Sequence, residues 1–126
     1  MRTSDVLVPE IDVEATIRKP KPSVPTIQTA RIQVELDGKV IDEYRLDPDV
    51  SVVTIGRIEM NDVIIPSRSI SRMHARIRRN GDMWLIEDTE SLNGLMYRGD
   101  RIDQMPLSNG DRIMLAPKAA LQYLAD

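Results

Sequence analysis

Cysteine is absent from this 126-residue chain, which excludes disulfides, thiolate nucleophiles and zinc sites built on cysteine. Histidine is almost absent: His74 stands alone, so no chemistry that needs two imidazoles fits within one chain. Phenylalanine is missing too, and Tyr44, Trp84, Tyr97 and Tyr123 make up the whole aromatic complement. Proteins that hold single-stranded nucleic acid stack bases on aromatics, and phosphate backbones select basic surfaces. With so few rings and a net charge of −3, no nucleic-acid partner is expected. The shortage of rings also predicts a core of Ile, Val, Leu and Met. No apolar run exceeds four residues, against about 20 for a membrane helix. Residues 1–10 lack an apolar stretch of signal-peptide length. A cytoplasmic protein with no membrane insertion is expected.

Proline and glycine divide the chain. Pro9, Pro20, Pro22 and Pro25 fall in the first 29 residues, where there is no glycine. Such a segment sustains neither a helix nor a central strand. Residues 1–29 therefore read as a flexible, mostly disordered N-terminal tail, and 30–126 as one domain. Within the domain, 31–36 alternates, with Ile32, Val34 and Leu36 on one face. Asp37-Gly38 is a hairpin signal, and 40–46 returns as the partner strand. Further strands are read at 50–55, 62–65, 73–79, 83–87, 95–97, 101–102, 112–115 and 119–124, with Met73, Ala75 and Ile77 on one face of the fifth. Asn80-Gly81, Asn93-Gly94 and Asn109-Gly110 mark turns. Ten or eleven short strands with turns every 8–12 residues predict an all-β sandwich or barrel.

The segment 65–74 places Ser67, Ser69 and Ser71 beside Arg68 and Arg72 between two strands. Hydroxyl and guanidinium donors of this kind suit an anion such as phosphate, although a solvated loop has the same composition. Ser71 and His74 could be a nucleophile and its base. They lack a third group, an oxyanion site and the strained Gly-x-Ser-x-Gly turn, so no enzyme and no catalytic residue is expected. There is no phosphate loop and no dinucleotide fingerprint, and neither a cofactor nor a metal is expected.

The order of the pieces is more specific than any one of them. The chain carries Gly56-Arg57, then Asn61-Asp62, then Ser71 and His74 three apart, then Asp88 and Ser91, Asn93-Gly94 and Gly110-Asp111. In order and spacing this resembles the forkhead-associated (FHA) domain over residues 31–124, most strongly over 53–115. The resemblance implies a β-sandwich of about eleven strands whose loops at one end bind phosphothreonine peptides. It implies that Arg57 and Ser71 hold phosphate, that Arg72 is a second anchor, and that Asn93 hydrogen-bonds the peptide backbone. Gly56, His74 and Gly94 are implied to support the site. In physical terms, Gly56 frees the strand end to turn, His74 braces the loop rather than ionising, and Gly94 permits a positive φ. Many members of the family carry Thr before the Asn; Leu92 stands there in this chain, so one hydroxyl donor is missing.

The function implied is a phosphothreonine-dependent adaptor downstream of a Ser/Thr kinase, the alternative being a phosphate-independent scaffold or oligomerisation domain of the same fold. The partners would be phosphothreonine-containing proteins. The chain's own tail could be one of them, with Thr16 as the modified residue. The 14 residues from Thr16 to Ala30 extend roughly 46–50 Å, enough to cross a domain about 30 Å deep.

Overall fold

The structure, a computed structural model, describes residues 29–126. The tail reading and Thr16 therefore lie outside the described residues, Thr29 excepted. Eleven strands follow in chain order. They are β1 (Ala30–Leu36), β2 (Lys39–Leu46), β3 (Val52–Gly56), β4 (Val63–Ile64), β5 (Ala75–Asn80), β6 (Met83–Asp88), β7 (Leu95–Tyr97), β8 (Asp100–Ile102), β9 (Gln104–Pro106), β10 (Arg112–Ala116) and β11 (Ala119–Ala125). They form a six-stranded sheet, β2-β1-β11-β10-β7-β8, and a five-stranded sheet, β4-β3-β5-β6-β9. No helix among the described residues is long and apolar enough to cross a membrane. The described residues hold no group of three or more acidic or histidine side chains that could bind a metal.

Alternation builds the sandwich. Ile32 and Val34 of β1, Ile113 and Leu115 of β10, and Leu121 and Tyr123 of β11 are buried between the sheets. Val53 and Ile55 of β3, Ile77 of β5, and Trp84 and Ile86 of β6 face them from the other side. The hairpin at Asp37-Gly38 has φ values of 55° and 79°, as a two-residue turn with two left-handed positions demands. The expected methionine contribution is corrected here. The fully buried apolar side chains are aliphatic plus Trp84 and Tyr123; no methionine is among them, and Met105 packs against the core from a partly buried position. The fifth strand is also corrected: it begins at Ala75, not at 73, and Met73 is 41% exposed on the preceding loop.

Register gathers the loops. Ile55 of β3 lies opposite Ala75 of β5, and Ala75 lies opposite Asp88 of β6. The segments 57–62, 65–74 and 89–94 therefore emerge at one end of the sandwich.

Candidate functional site

The backbone of segment 57–62 is laced to segment 65–74. The Arg57 N–H donates to the carbonyls of Ser71 and Arg72, each at 3.1 Å. The buried Asn61 donates from Nδ2 to the carbonyls of Ile58, at 2.9 Å, and Arg72, at 2.8 Å. Asp62 accepts from the Thr54 N–H and hydroxyl at 2.9 and 3.2 Å, which pins the segment back to β3. Gly56 sits under this lacing. A Cβ there would lie 2.1 Å from the Arg72 carbonyl oxygen. Its φ is not in the left-handed region. The expected reason for this glycine is corrected: close approach of two backbones requires it, not freedom to turn.

His74 is fully buried and joins two loops. Its Nδ1 accepts the Ser71 N–H at 3.1 Å, so Nε2 carries the proton and donates to the Gly94 carbonyl at 2.9 Å. One neutral tautomer satisfies both bonds, in keeping with bracing. The third loop is also built from within. Asp88 accepts from the Ser91 hydroxyl, and the Ser91 Oγ in turn accepts the Gly94 N–H at 2.8 Å. Gly94 adopts the expected positive φ, 75°.

Four side chains are presented on this frame. Arg57 is exposed, and its Nε donates to the Ile70 carbonyl at 3.0 Å, which orients the guanidinium and leaves its terminal nitrogens without a partner among the described residues. Ser71 accepts the Leu92 N–H at 2.9 Å on Oγ and keeps its own hydroxyl proton to donate. Arg72 is exposed, and its guanidinium has no partner among the described residues. Asn93 spends one Nδ2 proton on the Ser69 carbonyl at 2.6 Å, keeping its Oδ1 and a second proton. Leu92 is 85% exposed and supplies only backbone to the site.

The charges are partitioned. Arg31, Arg45, Arg76, Arg78 and Arg112 each meet a carboxylate on strands or termini. Hydrogen bonds from Arg76 and Arg78 hold the Glu87 carboxyl below its ordinary range, and Arg112 does the same to Glu35. Arg57, Arg68, Arg72, Arg79, Arg98 and Arg101 have no carboxylate partner among the described residues; Arg79 donates to the Pro48 and Val50 carbonyls, Arg98 lies over Tyr97, and Arg57, Arg68 and Arg72 lie on the gathered loops. Cations with unspent donors, a free hydroxyl and a bifunctional amide suit an anion attached to a polypeptide backbone.

The FHA domain family model matches residues 53–116, about half of the chain. The chain belongs to the FHA family. The FHA assignment is joined by relatives of known name. The oxoglutarate dehydrogenase inhibitor of Corynebacterium jeikeium is 36% identical over 67 residues, which is 53% of this chain and 46% of that protein. The chain thus matches less than half the length of that relative. Among solved structures, the Slr1951 protein of Synechocystis superposes with a TM-score of 0.70 at 28% identity, covering 79% of this chain and 98% of that one. Mycobacterium tuberculosis EmbR, solved with a low-affinity phosphopeptide, superposes with a TM-score of 0.63 at 26% identity, covering 78% and 24%.

The FHA fold brings Arg57, Ser71, Arg72, Asn93, Gly56, His74 and Gly94 to one end of the sandwich, while Thr16 lies outside the described residues. Two supports were missed. Asn61 is the buried amide that holds the Arg72 carbonyl; it entered the sequence reading only as part of the ordered pattern, with no role assigned to it. Arg101 lies against the Gly94 backbone, where a Cβ would meet its guanidinium at 2.7 Å. It is seven residues from Gly94 in the chain, and only the β7–β8 pairing shows the contact.

Proposed function

We propose that this FHA domain is a phosphothreonine-dependent binding module, acting without catalysis as an adaptor downstream of a Ser/Thr kinase. Arg57 and Arg72 supply charge to the phosphate and Ser71 donates its hydroxyl; Asn93 reads the peptide backbone beside the phosphothreonine. Gly56, His74 and Gly94 hold these groups in place. A phosphate carries about −1.5 to −2 charges at neutral pH, so two guanidinium groups and a hydroxyl form a matched receptor. The observation that carries the reading is the unspent donor set of Arg57, Arg72 and Ser71 on loops that His74 and Asn61 hold rigidly together. The relative solved with a phosphopeptide supports the same chemistry.

The partners are phosphothreonine-containing proteins, the chain's own tail phosphorylated at Thr16 being one of them, and the compartment is the cytoplasm. The acidic balance of the chain disfavours nucleic acid as a ligand. Residues 1–29 serve as the tether and 30–126 as the binding domain. Titration of one peptide in phosphothreonine, phosphoserine and unmodified threonine forms tests the reading. The phosphothreonine form binds most tightly and the unmodified form does not bind measurably. The extra methyl alone is worth about 0.8 kcal/mol, roughly fourfold over phosphoserine. Equal binding of the unmodified peptide would instead make the domain a phosphate-independent scaffold.

A further inference from the structure

Three of the chain's four asparagines are followed by glycine: Asn80-Gly81, Asn93-Gly94 and Asn109-Gly110. Such a pair carries the means of its own modification. The main-chain nitrogen of the glycine, once it loses its proton, attacks the asparagine side-chain carbonyl carbon. The bond from that carbon to the side-chain nitrogen breaks and ammonia leaves. Water then opens the cyclic imide to aspartate or isoaspartate. Glycine lacks the Cβ that would hinder this approach. The three pairs share the chemistry and differ in what holds them. At Asn93 the Gly94 N–H donates to the Ser91 Oγ at 2.8 Å, and the Ser91 hydroxyl is itself donated to Asp88. The Asn93 carboxamide donates to the Ser69 carbonyl at 2.6 Å. At Asn109 the Gly110 N–H donates to the Tyr123 carbonyl at 2.8 Å, and the Asn109 Oδ1 accepts the Ala125 N–H at 3.0 Å. Asn80 and Gly81 are exposed at the tip of the β5–β6 hairpin. Neither the Asn80 side chain nor the Gly81 N–H has a hydrogen-bond partner among the described residues.

We propose that Asn80 is the deamidation site of this chain and that the Ser91 hydroxyl keeps the same reaction from Asn93. A nitrogen whose proton is already hydrogen-bonded is harder to deprotonate, and a tethered carboxamide does not swing onto it. The tip of a hairpin, in contrast, opens locally at little free-energy cost and reaches the geometry of attack. The consequences differ as much as the rates. β5 begins beside the gathered loops and ends at Asn80, so a new carboxylate at residue 80 lies away from them. A carboxylate at residue 93 would stand on the loop whose Leu92 N–H donates to Ser71, and would repel a phosphate held there. It would also lack the amide protons that Asn93 offers a peptide backbone. This second consequence rests on the phosphothreonine reading of the loops; the order of the three rates does not. Ser91 therefore has two duties, shaping the loop and preserving its amide.

The experiment ages the full chain at mildly alkaline pH and follows each asparagine by peptide mapping and mass spectrometry, with a phosphothreonine peptide titrated at each time. In the wild type, Asn80 is expected to convert about tenfold or more faster than Asn93 and Asn109, since attack at the latter two must first break hydrogen bonds. Affinity is expected to hold while residue 80 converts. In Ser91→Ala the Gly94 N–H loses its acceptor. Asn93 is then expected to convert at a rate approaching that of Asn80, with affinity falling from its starting value in step. Wild-type conversion of Asn93 as fast as that of Asn80, or a Ser91→Ala protein in which Asn93 stays intact, would overturn the proposal. If Ser91→Ala does not fold, amide hydrogen exchange in the wild type is read instead. The Gly94 and Gly110 N–H groups are expected to be protected and the Gly81 N–H to exchange freely, and equal exchange at Gly81 and Gly94 would overturn the proposal. A fresh wild-type protein that ignores the phosphate would overturn the phosphothreonine reading and leave the order of the rates standing.

Discussion

Gly56→Ala tests the packing logic of the site, because the substitution adds one methyl and no charge. The residue already has a backbone conformation open to alanine. Space is the obstacle. The new Cβ would lie 2.1 Å from the Arg72 carbonyl oxygen, 2.6 Å from the Asn61 Nδ2 and 2.9 Å from the Arg72 carbonyl carbon. Two of these three contacts are backbone, so rotamer changes relieve little, and the two segments must part by about 1 Å to reach ordinary contact distances. Parting them stretches the two Arg57 N–H bonds and the Asn61–Arg72 bond. Overpacking of this kind costs about 1–3 kcal/mol, and each weakened hydrogen bond adds about 0.5–1.5 kcal/mol. A loss of about 3 kcal/mol in a domain of this size lowers the melting temperature by about 12–24 °C. Phosphopeptide affinity, measured well below that melting point, should fall as well, since Arg57 and Arg72 are both displaced. A variant that melts within about 2 °C of wild type and binds equally would refute the argument.

Three further outcomes are expected. Ser71→Ala removes one neutral donor and should weaken phosphopeptide binding by about 1–2 kcal/mol; unchanged affinity by calorimetry would take Ser71 out of the site. The carboxyls of Glu35 and Glu87 are held below their ordinary value of 4.5, so the stability they contribute is present above that value and is lost as pH falls through their depressed values. Glu87→Gln should therefore lose less melting temperature than wild type between about pH 5 and pH 2, and parallel curves would contradict the pairing. Phosphorylation at Thr16 should weaken binding of an external phosphothreonine peptide, since a tethered ligand acts at an effective concentration on the order of millimolar; an unchanged titration would leave the tail without this role.

Local chemistry was legible in the sequence wherever it was self-sufficient. Asp37-Gly38 and the alternation over 31–36 each specify their conformation within a few residues, and both are seen. Arg57, Ser71, Arg72 and Asn93, the residues proposed to bind, stand out because they sit in a spaced, ordered set, and the structure presents them on neighbouring loops. Met73 was misread because the alternation of β5 continues formally into a loop whose path is set by the Arg72 carbonyl over Gly56. β9 has three residues ending in proline and no alternation, and it is a strand only because it pairs with the edge of β6. The methionines have no periodic signature that separates core from surface. Met96 and Met114 face outward because Leu95, Ile113 and Leu115 beside them take the inward positions. Arg101 acts through register and Asn61 through a backbone contact; spacing marked Asn61 without showing what it holds, and marked Arg101 not at all.

The most direct test of the account is the affinity of Arg57→Ala for a phosphothreonine peptide that the wild type binds, measured by calorimetry beside thermal melting of both proteins. Arg57 is exposed and its contact with the rest of the protein is one side-chain bond to the Ile70 carbonyl plus its backbone. The fold should therefore survive the substitution with its melting temperature nearly unchanged. Removing one partner of a hydrogen-bonded charge pair costs about 2–5 kcal/mol, so affinity should fall by about thirtyfold or more, while any residual binding of the unphosphorylated peptide stays the same. A folded Arg57→Ala protein that binds the phosphothreonine peptide as tightly as wild type would contradict the assignment of these loops as a phosphate receptor.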